Sequence, residues 1–552
     1  LDYGYRAEKT WFGGFSSQEN AFNLGGEIED RNLAGDALRS VAEKKVVIVG
    51  AGPGGLAASI LLAKAGVRVT VLERLAHVGG RTSTFSAEGF TFDAGPTFFL
   101  YPQVLREIFA AAGSDLDREV ELVRLDPQYR LVFGGGGDLL ATPDLERMRA
   151  AVEALSPGDG AAFLKYYEVN RRKLAAFAPI LSSPFLSWKD LFRPGMFKSL
   201  PLLKPWRSLH ADLSTYFQDP RIRLAFSFQS KYLGMSPFRC PSLFSILAFM
   251  EYEYGVFHPK GGCGAITVAM AKLARSLGVE IKLEHEVEKI EFVGKKPSGV
   301  YAAGEFFPCD SLVINADFAR AMQRLVPNDL RPRWSDRQIA KKQFSCSTFM
   351  MYLGVKGKFD EVAHHTIYIP RDYPETLTDI ERDHVLSSDP PFYLQNASGT
   401  DASLAPQGCS TLYALFPVTH QHKNVNWGEG KKAFRELAIR QLQRVGVDVR
   451  GRIVVERDFT PDDWSSKFEL HLGSTFSMTH SFRQMLHLRP RNRFEDLESV
   501  YLVGGGTHPG SGLPVIFESS RITSRLLLED FGMGSSAVAG SPDMVPMMAE
   551  VA

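Results

Sequence analysis

Short apolar runs that stop abruptly at glycine or polar residues set the pattern of this chain. The first, Val46-Val47-Ile48-Val49, leads directly into Gly50-Ala51-Gly52-Pro53-Gly54-Gly55. An unbroken run of this length predicts a strand buried on both faces, as in a parallel sheet. Leu56, Ala57, Ile60 and Leu61, then Ala63-Lys64-Ala65-Gly66, continue at helical spacing with small residues toward the sheet. Arg68-Val69-Thr70-Val71-Leu72-Glu73 predicts a second strand that closes on an acid. The theme returns far along the chain. Residues 278–283 and 312–317 read as strands, and a helix through Ile266, Met270 and Leu273 precedes them. Val500-Tyr501-Leu502-Val503 is a last strand, followed by a glycine-rich loop and a helix carrying Ile516, Ile522 and Leu526.

This alternation predicts an α/β fold class. One Rossmann-like domain is assembled from discontinuous segments, 44–105, 255–325 and 495–552, the last running into a C-terminal tail. Residues 106–254 read as a helical region and 326–494 as an α+β domain. Residues 1–43 mix Gly, Asn, Glu and aromatics without a period, and are expected to be an extension outside the fold.

The first segment carries chemistry in its glycines. Gly50 permits a tight turn, Gly52 clears space for backbone to approach a pyrophosphate, and Gly55 lets helix pack on strand. The helix that starts at Pro53 and Gly54 offers free N–H groups to phosphate. Glu73 stands where a carboxylate accepts bonds from ribose hydroxyls. Strand, glycines, helix, strand and acid in this order predict a dinucleotide site. They do not separate FAD from NAD.

Composition narrows the classes. Lys plus Arg and Asp plus Glu number 63 each, so charge gives no argument for nucleic acid as a partner. The five cysteines are scattered and form no CxxC pair, which speaks against a disulfide scaffold or a zinc site and fits a reducing compartment. No metal is expected. No run of eighteen uncharged apolar residues suggests a spanning helix.

The segment after Glu73, Arg74-Leu75-Ala76-His77-Val78-Gly79-Gly80-Arg81-Thr82, resembles the signature of the flavoprotein group that includes amine oxidases, protoporphyrinogen oxidases and carotenoid desaturases. From about residue 44 to 532 the chain resembles bacterial and fungal-type phytoene desaturases and the C30 diapophytoene desaturases. The resemblance rests on residues 257–264, 345–354, 364–368, 489–493 and 503–510. Leu513-Pro514-Val515-Ile516, where relatives carry small residues, and the stretch 474–480 depart from it.

The resemblance implies FAD as cofactor. Gly79, Gly80 and Arg81 would meet its diphosphate, with Arg74 beside them, and Gly95, Pro96 and Thr97 its flavin. Backbone at Val287 would meet its adenine, with Asn315 at the end of the neighbouring strand. Gly505, Gly506, Thr507, Gly512, Leu513, Pro514 and Val515 would surround the ring. It also implies dehydrogenation of a hydrophobic polyene or isoprenoid, with oxygen or a quinone as electron acceptor. Terminal-methyl oxidation, isomerisation, saturation or non-catalytic prenyl-lipid binding are the alternatives.

His508 is the histidine expected nearest the flavin, with Asp93 and Arg81 as further catalytic candidates. His364 and His365, as neighbours on a strand, are expected to face opposite ways, at least one being structural. A long apolar substrate needs an apolar tunnel. The residues expected to line it are Phe226, Phe228, Leu233, Phe244, Leu247, Phe249, Met250, Phe349, Met351 and Tyr352. Between Phe185 and Leu209, aromatic and aliphatic residues alternate with Lys189, Arg193, Lys198, Lys204 and Arg207. Pro194, Pro201 and Pro205 forbid one long helix there. This stretch is expected to rest on a lipid membrane surface, placing the protein peripherally on the cytoplasmic side.

Overall fold

The computed structural model describes residues 44–534; the expected extension over 1–43 and the tail beyond 534 lie outside the described residues. Five parallel strands form the first sheet: β1 (Lys45–Val49), β2 (Arg68–Leu72), β3 (Glu280–Lys282), β4 (Ser311–Ile314) and β5 (Val500–Leu502). Their order is β3-β2-β1-β4-β5, with β1 central. Val46 pairs with Val69 on one side and Ser311 on the other. Strands separated by more than two hundred residues of sequence thus lie edge to edge.

Both faces of this sheet are covered, which is why β1, β2, β4 and β5 are mostly apolar, whereas the edge strand β3 is Glu280-Ile281-Lys282 with Glu280 exposed. Val46, Ile48, Val69, Val71 and Val313 pack under three helices, α1 (Pro53–Lys64), α2 (Gly264–Ser276) and α3 (Leu513–Asp530). Val47, Val49, Leu72, Leu312 and Ile314 face a three-stranded antiparallel sheet over Val287–Val293, Lys296–Ala302 and Glu305–Pro308. Every residue of α1 from Gly54 to Leu62 is buried, so this helix is apolar all round and not amphipathic. Gly55 marks how closely it seats: a Cβ there would lie 2.2 Å from the Gly50 carbonyl oxygen.

A second, seven-stranded sheet runs in the order Ile453–Phe459, Ser347–Lys356, Cys409–Val418, Phe392–Asn396, His365–Ile369, Tyr129–Phe133 and Asp138–Ala141. Alternate residues divide its faces. Phe349, Met351, Leu353, Phe416 and Val418 pack against the helix Trp427–Leu442, whereas Thr348, Met350, Leu415, Tyr393 and Ile367 face the other way. That second face is roofed by the helical region, including Asp159–Leu181 and Ile246–Tyr254. Residues 185–209 form no single long helix, as expected: Trp188–Phe192 and Pro194–Leu203 are separate pieces, the second starting at Pro194, containing Pro201 and ending before Pro205.

Candidate active site

A cavity of about 540 Å³ begins at the C-terminal edge of the parallel sheet, where ligands settle in open α/β folds. Gly50, Gly52, Pro53 and Gly54 line it after β1, Glu73 and Arg74 after β2, Asn315 after β4, and Gly505 and Gly506 after β5. Gly50 has φ +97°, and a Cβ there would sit 2.7 Å from the Asn315 carbonyl oxygen. The Asn315 amide donates to the Gly50 carbonyl at 3.1 Å, tying the end of β4 to this turn. Glu73 accepts from the backbone N–H groups of Ala51 at 2.7 Å and Leu75 at 2.9 Å. Its carboxylate therefore shapes the turn and keeps lone pairs for hydroxyl donors.

Two helices point their starts into this end of the cavity. Neither α1, capped by Gly52, nor α3, capped by Gly512, has a side chain bonded to its first amides or an acid in its first turn. Leu513, Pro514, Val515 and Gly512 line the cavity at the start of α3. Several other helices have their first amides met by their own cap residue, as with Asp144, Asp219 and Asp317. Gly80, Arg81, Gly95, Pro96, Thr97 and Val287 complete this end. The Arg81 guanidinium donates to the Thr475 carbonyl at 2.6 Å, and Asp317 acts on its charge while burial lowers its pKa. Glycine turns, two open helix starts, the Arg81 cation and the Glu73 carboxylate fit a dinucleotide such as FAD: anionic in the middle, polar at the ribose and flat at the ring.

Five of the residues predicted for the cofactor or for catalysis do not border the cavity. Gly55 serves helix packing. Gly79, at φ +100°, donates its N–H to the Ala51 carbonyl at 2.8 Å and turns the loop that presents Gly80 and Arg81. Thr507 and His508 turn away beneath the glycine loop. His508 lies 2.9 Å from the Ser183 carbonyl through Nε2, its ring packs on Phe185, and burial pushes its pKa down to about 4. Asp93 is spent on α2: its Oδ1 accepts from the Cys263 N–H at 2.7 Å, supplying the cap that α2 lacks. Burial pushes its pKa up to about 7.

The opposite end is apolar. Of the residues expected there, Phe228, Leu233, Leu247 and Met250 line it. Phe226, Phe244 and Phe249 belong to the helical core, and Tyr352 to a smaller aromatic cluster. Phe349 and Met351 fall on the far face of the second sheet, and Met350 between them is the residue that reaches the cavity. A strand presents alternate residues to each face, so an error of one position exchanges them all. Phe98, Ile367, Ile369, Tyr393, Leu415 and Phe476 also line this end and were not foreseen. Lys231, a charged residue here, is held by Glu381 at 3.1 Å.

Two buried ionisable groups support these walls. Arg489 is fully buried and donates only to carbonyls, including Gly505 at 2.6 Å and Thr507 at 3.2 Å, so it clamps the glycine loop from behind. Burial pushes its pKa down to about 9. Glu251, also fully buried, accepts from Gln229 at 2.9 Å and from the Tyr129 hydroxyl at 2.9 Å, and burial pushes it up to about 7. His364 and His365 do not face opposite ways. The strand begins only at His365, and both rings are buried, edge to face with centroids 4.4 Å apart. Among the described residues no cluster of His, Cys, Asp or Glu suits a metal.

The model of the flavin containing amine oxidoreductase family matches residues 53–528. The chain is 40% identical over 487 residues to a 4,4'-diapophytoene desaturase (4,4'-diapolycopene-forming) of a Methylomonas species, covering 88% of this chain and 95% of that one. It is 37% identical over 515 residues to an all-trans-zeta-carotene desaturase of Myxococcus xanthus, covering 92% and 97%. An oxidoreductase from Methanosarcina mazei shares the fold, with TM-score 0.56 at 18% identity over 86% of this chain and 98% of that one. The cofactor is FAD. With matches of this extent and a cradle that fits the cofactor, the chain belongs to the flavin-containing amine oxidoreductases and, within them, to the carotenoid desaturases.

Proposed function

We propose that the chain uses FAD to remove two hydrogens from adjacent carbons of a long acyclic carotenoid precursor of the phytoene or diapophytoene kind. The observation that carries this reading is one cavity whose dinucleotide cradle opens into a chamber walled by Phe, Leu, Ile, Met and Tyr. Bound FAD supplies the two-electron acceptance that C–H removal requires. The chain supplies position and field. Gly50, Gly52 and the start of α1 would hold the diphosphate, and Arg81 would balance its charge. Gly505 and Gly506 would flank the ring, and the start of α3 would favour negative charge beside it. The apolar walls exclude water and hold an extended polyene against that ring.

Expression in cells that make phytoene or diapophytoene, followed by pigment mass analysis, tests the reading. Products lighter by two hydrogens per step are expected. A product that gains oxygen, or one of unchanged mass, would overturn it in favour of oxidation or isomerisation. Oxygen or a quinone is the acceptor we propose for the second half of the cycle, and anaerobic turnover with added quinone separates them.

Such a substrate resides in lipid, and we propose that residues 185–209 dock the protein peripherally on a membrane's cytoplasmic face. Trp188 and Phe192 are each 60% exposed and Trp206 71%, large apolar surfaces unusual in water. Arg193 is held by Asp190 at 2.8 Å, and Lys204 and Arg207 lie 3.3 and 4.0 Å from Asp212, so the aromatic residues carry the argument more than the charges. No helix among the described residues is long and apolar enough to cross a membrane. Flotation with anionic liposomes, lost on replacing Trp188, Phe192 and Trp206 by serine, is the expected result. Protein that stays at the bottom of the gradient before any replacement refutes docking.

A further inference from the structure

The histidine pair has no part in the scheme above, yet its surroundings are those of a proton path. In the second sheet, Ile367 pairs with Tyr393 and His365 with Gln395, so His365 and Tyr393 share one face as diagonal neighbours. That face is the cavity wall, which Tyr393 lines together with Thr97. The Tyr393 hydroxyl lies 2.7 Å from His365 Nδ1 and 2.7 Å from Thr97 Oγ1. Two other phenols of this sheet are committed differently: Tyr413 donates to the Gly95 carbonyl at 2.7 Å and Tyr352 to the Ala94 carbonyl at 2.6 Å. A carbonyl oxygen holds a phenol proton in place, whereas an imidazole can take it.

Behind Tyr393 the chain of hydrogen bonds ends at His365, and no hydrogen bond joins it to His364, whose Nε2 lies 3.1 Å from the Gln395 amide nitrogen. His365 is fully buried, stacks on Phe98 at 3.9 Å, and keeps Nε2 without a hydrogen-bond partner. The His364 ring stands beside it. His364 Nδ1 lies 2.7 Å from Thr400 Oγ1, and Thr400 is exposed. Burial keeps both imidazoles neutral, with pKa values well below the ordinary range, so His365 is free to accept a proton. A base this weak suffices for the reaction at hand. Once a hydride has left an allylic carbon, the neighbouring C–H bond is strongly acidic.

We propose that Tyr393 takes the proton released by the substrate and that His365 receives the phenol's own proton. This rests on the desaturase reading. One substrate C–H bond breaks with its electron pair, and the hydride passes to the flavin. The adjacent C–H bond breaks with its pair retained as the new C=C π bond. Its proton bonds to Tyr393 Oη as the Tyr393 O–H proton bonds to His365 Nδ1. The substrate is oxidised by two electrons and the flavin reduced by two. Tyr393 is then a catalytic residue, Thr97 and His365 position and relay, and the resting state returns when, with product gone, Tyr393 gives a proton to water in the cavity as His365 Nδ1 returns its proton to the phenol oxygen.

Anaerobic stopped-flow mixing of the FAD-loaded protein with diapophytoene or phytoene in liposomes tests this. Tyr393→Phe removes the acceptor; His365→Asn keeps a hydrogen bond to Tyr393 but no basic nitrogen. Both are expected to retain wild-type FAD content and to bleach the flavin about 100-fold more slowly, the usual range for a lost acid–base group being ~10²–10⁴. Deuterium at the carbon that loses the proton is expected to slow the variants more than the wild type, an effect that packing damage would not produce. Variants that bleach at the wild-type rate, or slowly with an unchanged isotope effect, overturn the relay. Wild-type flavin that neither lipid bleaches overturns the desaturase reading instead.

Discussion

At one end of the cavity the chain offers backbone, and at the other it offers side chains. The cradle is made of glycine turns, carbonyls and the starts of α1 and α3, with Glu73, Arg81 and Asn315 among its polar side chains. The chamber is made of Phe228, Leu247, Met350, Ile367 and Tyr393, drawn from two helical elements and three strands. In the cradle a residue matters for what it lacks, a Cβ or a competing cap. In the chamber it matters for which way it points. The first property belongs to the residue type and the second to pairing between distant segments.

The largest expected effect on function breaks the cradle. Gly55→Ala places a methyl 2.2 Å from the Gly50 carbonyl oxygen, so α1 must lift from the sheet that holds it. Overpacking of this kind costs about 1–3 kcal/mol or more. FAD content measured after release by heat should fall at least tenfold, with a lower melting temperature; full occupancy would mean that the helix seats less closely than described.

A paired substitution sharpens the contrast at the other end. Phe249→Ala removes a fully buried ring of the helical core and should cost about 3–5 kcal/mol in denaturant unfolding. Leu247→Ala, two positions earlier and on the cavity wall, should cost much less and alter the distribution of products. Equal losses of stability with no change in products would erase the distinction between core and wall.

The smallest effect concerns Glu251. Its pKa is raised by burial, from an ordinary 4.5 to about 7, so the folded state prefers the protonated acid. Its contribution to stability is full below about 4.5 and is lost as pH rises through about 7. Thermal melts should show the wild type losing more stability across that window than Glu251→Gln, in which buried Asp93 still titrates. A wild-type profile parallel to the variant's would contradict the assignment.

The same contrast explains what could be read from the chain. The strands around Val46, Val69, Val313 and Tyr501, and the glycines that follow them, were legible because continuous burial and tight turns leave marks in residue type. His508 and Asp93 were misplaced for one reason: a polar residue beside a glycine motif looks free until its partner is known. Those partners, the Ser183 carbonyl and the Cys263 amide, lie 325 and 170 residues away. Phe349 and Met351 were assigned to the wrong face because apolar residues fill the strand throughout, and only pairing fixes which set looks inward. Tyr393 left no mark at all, since its meaning depends on His365 beside it.

The parallel sheet takes its central strand from the beginning of the chain and its last strand, with α3, from the end. During synthesis at ~5–20 residues per second, β1 and β2 emerge roughly 20 to 90 s before β5 leaves the ribosome. The half-built sheet has no partner for its outer edge in that interval, and the nascent chain cannot close around FAD. Loading is therefore an event of the finished polypeptide, and ribosomes stalled before residue 500 should carry none of the yellow colour.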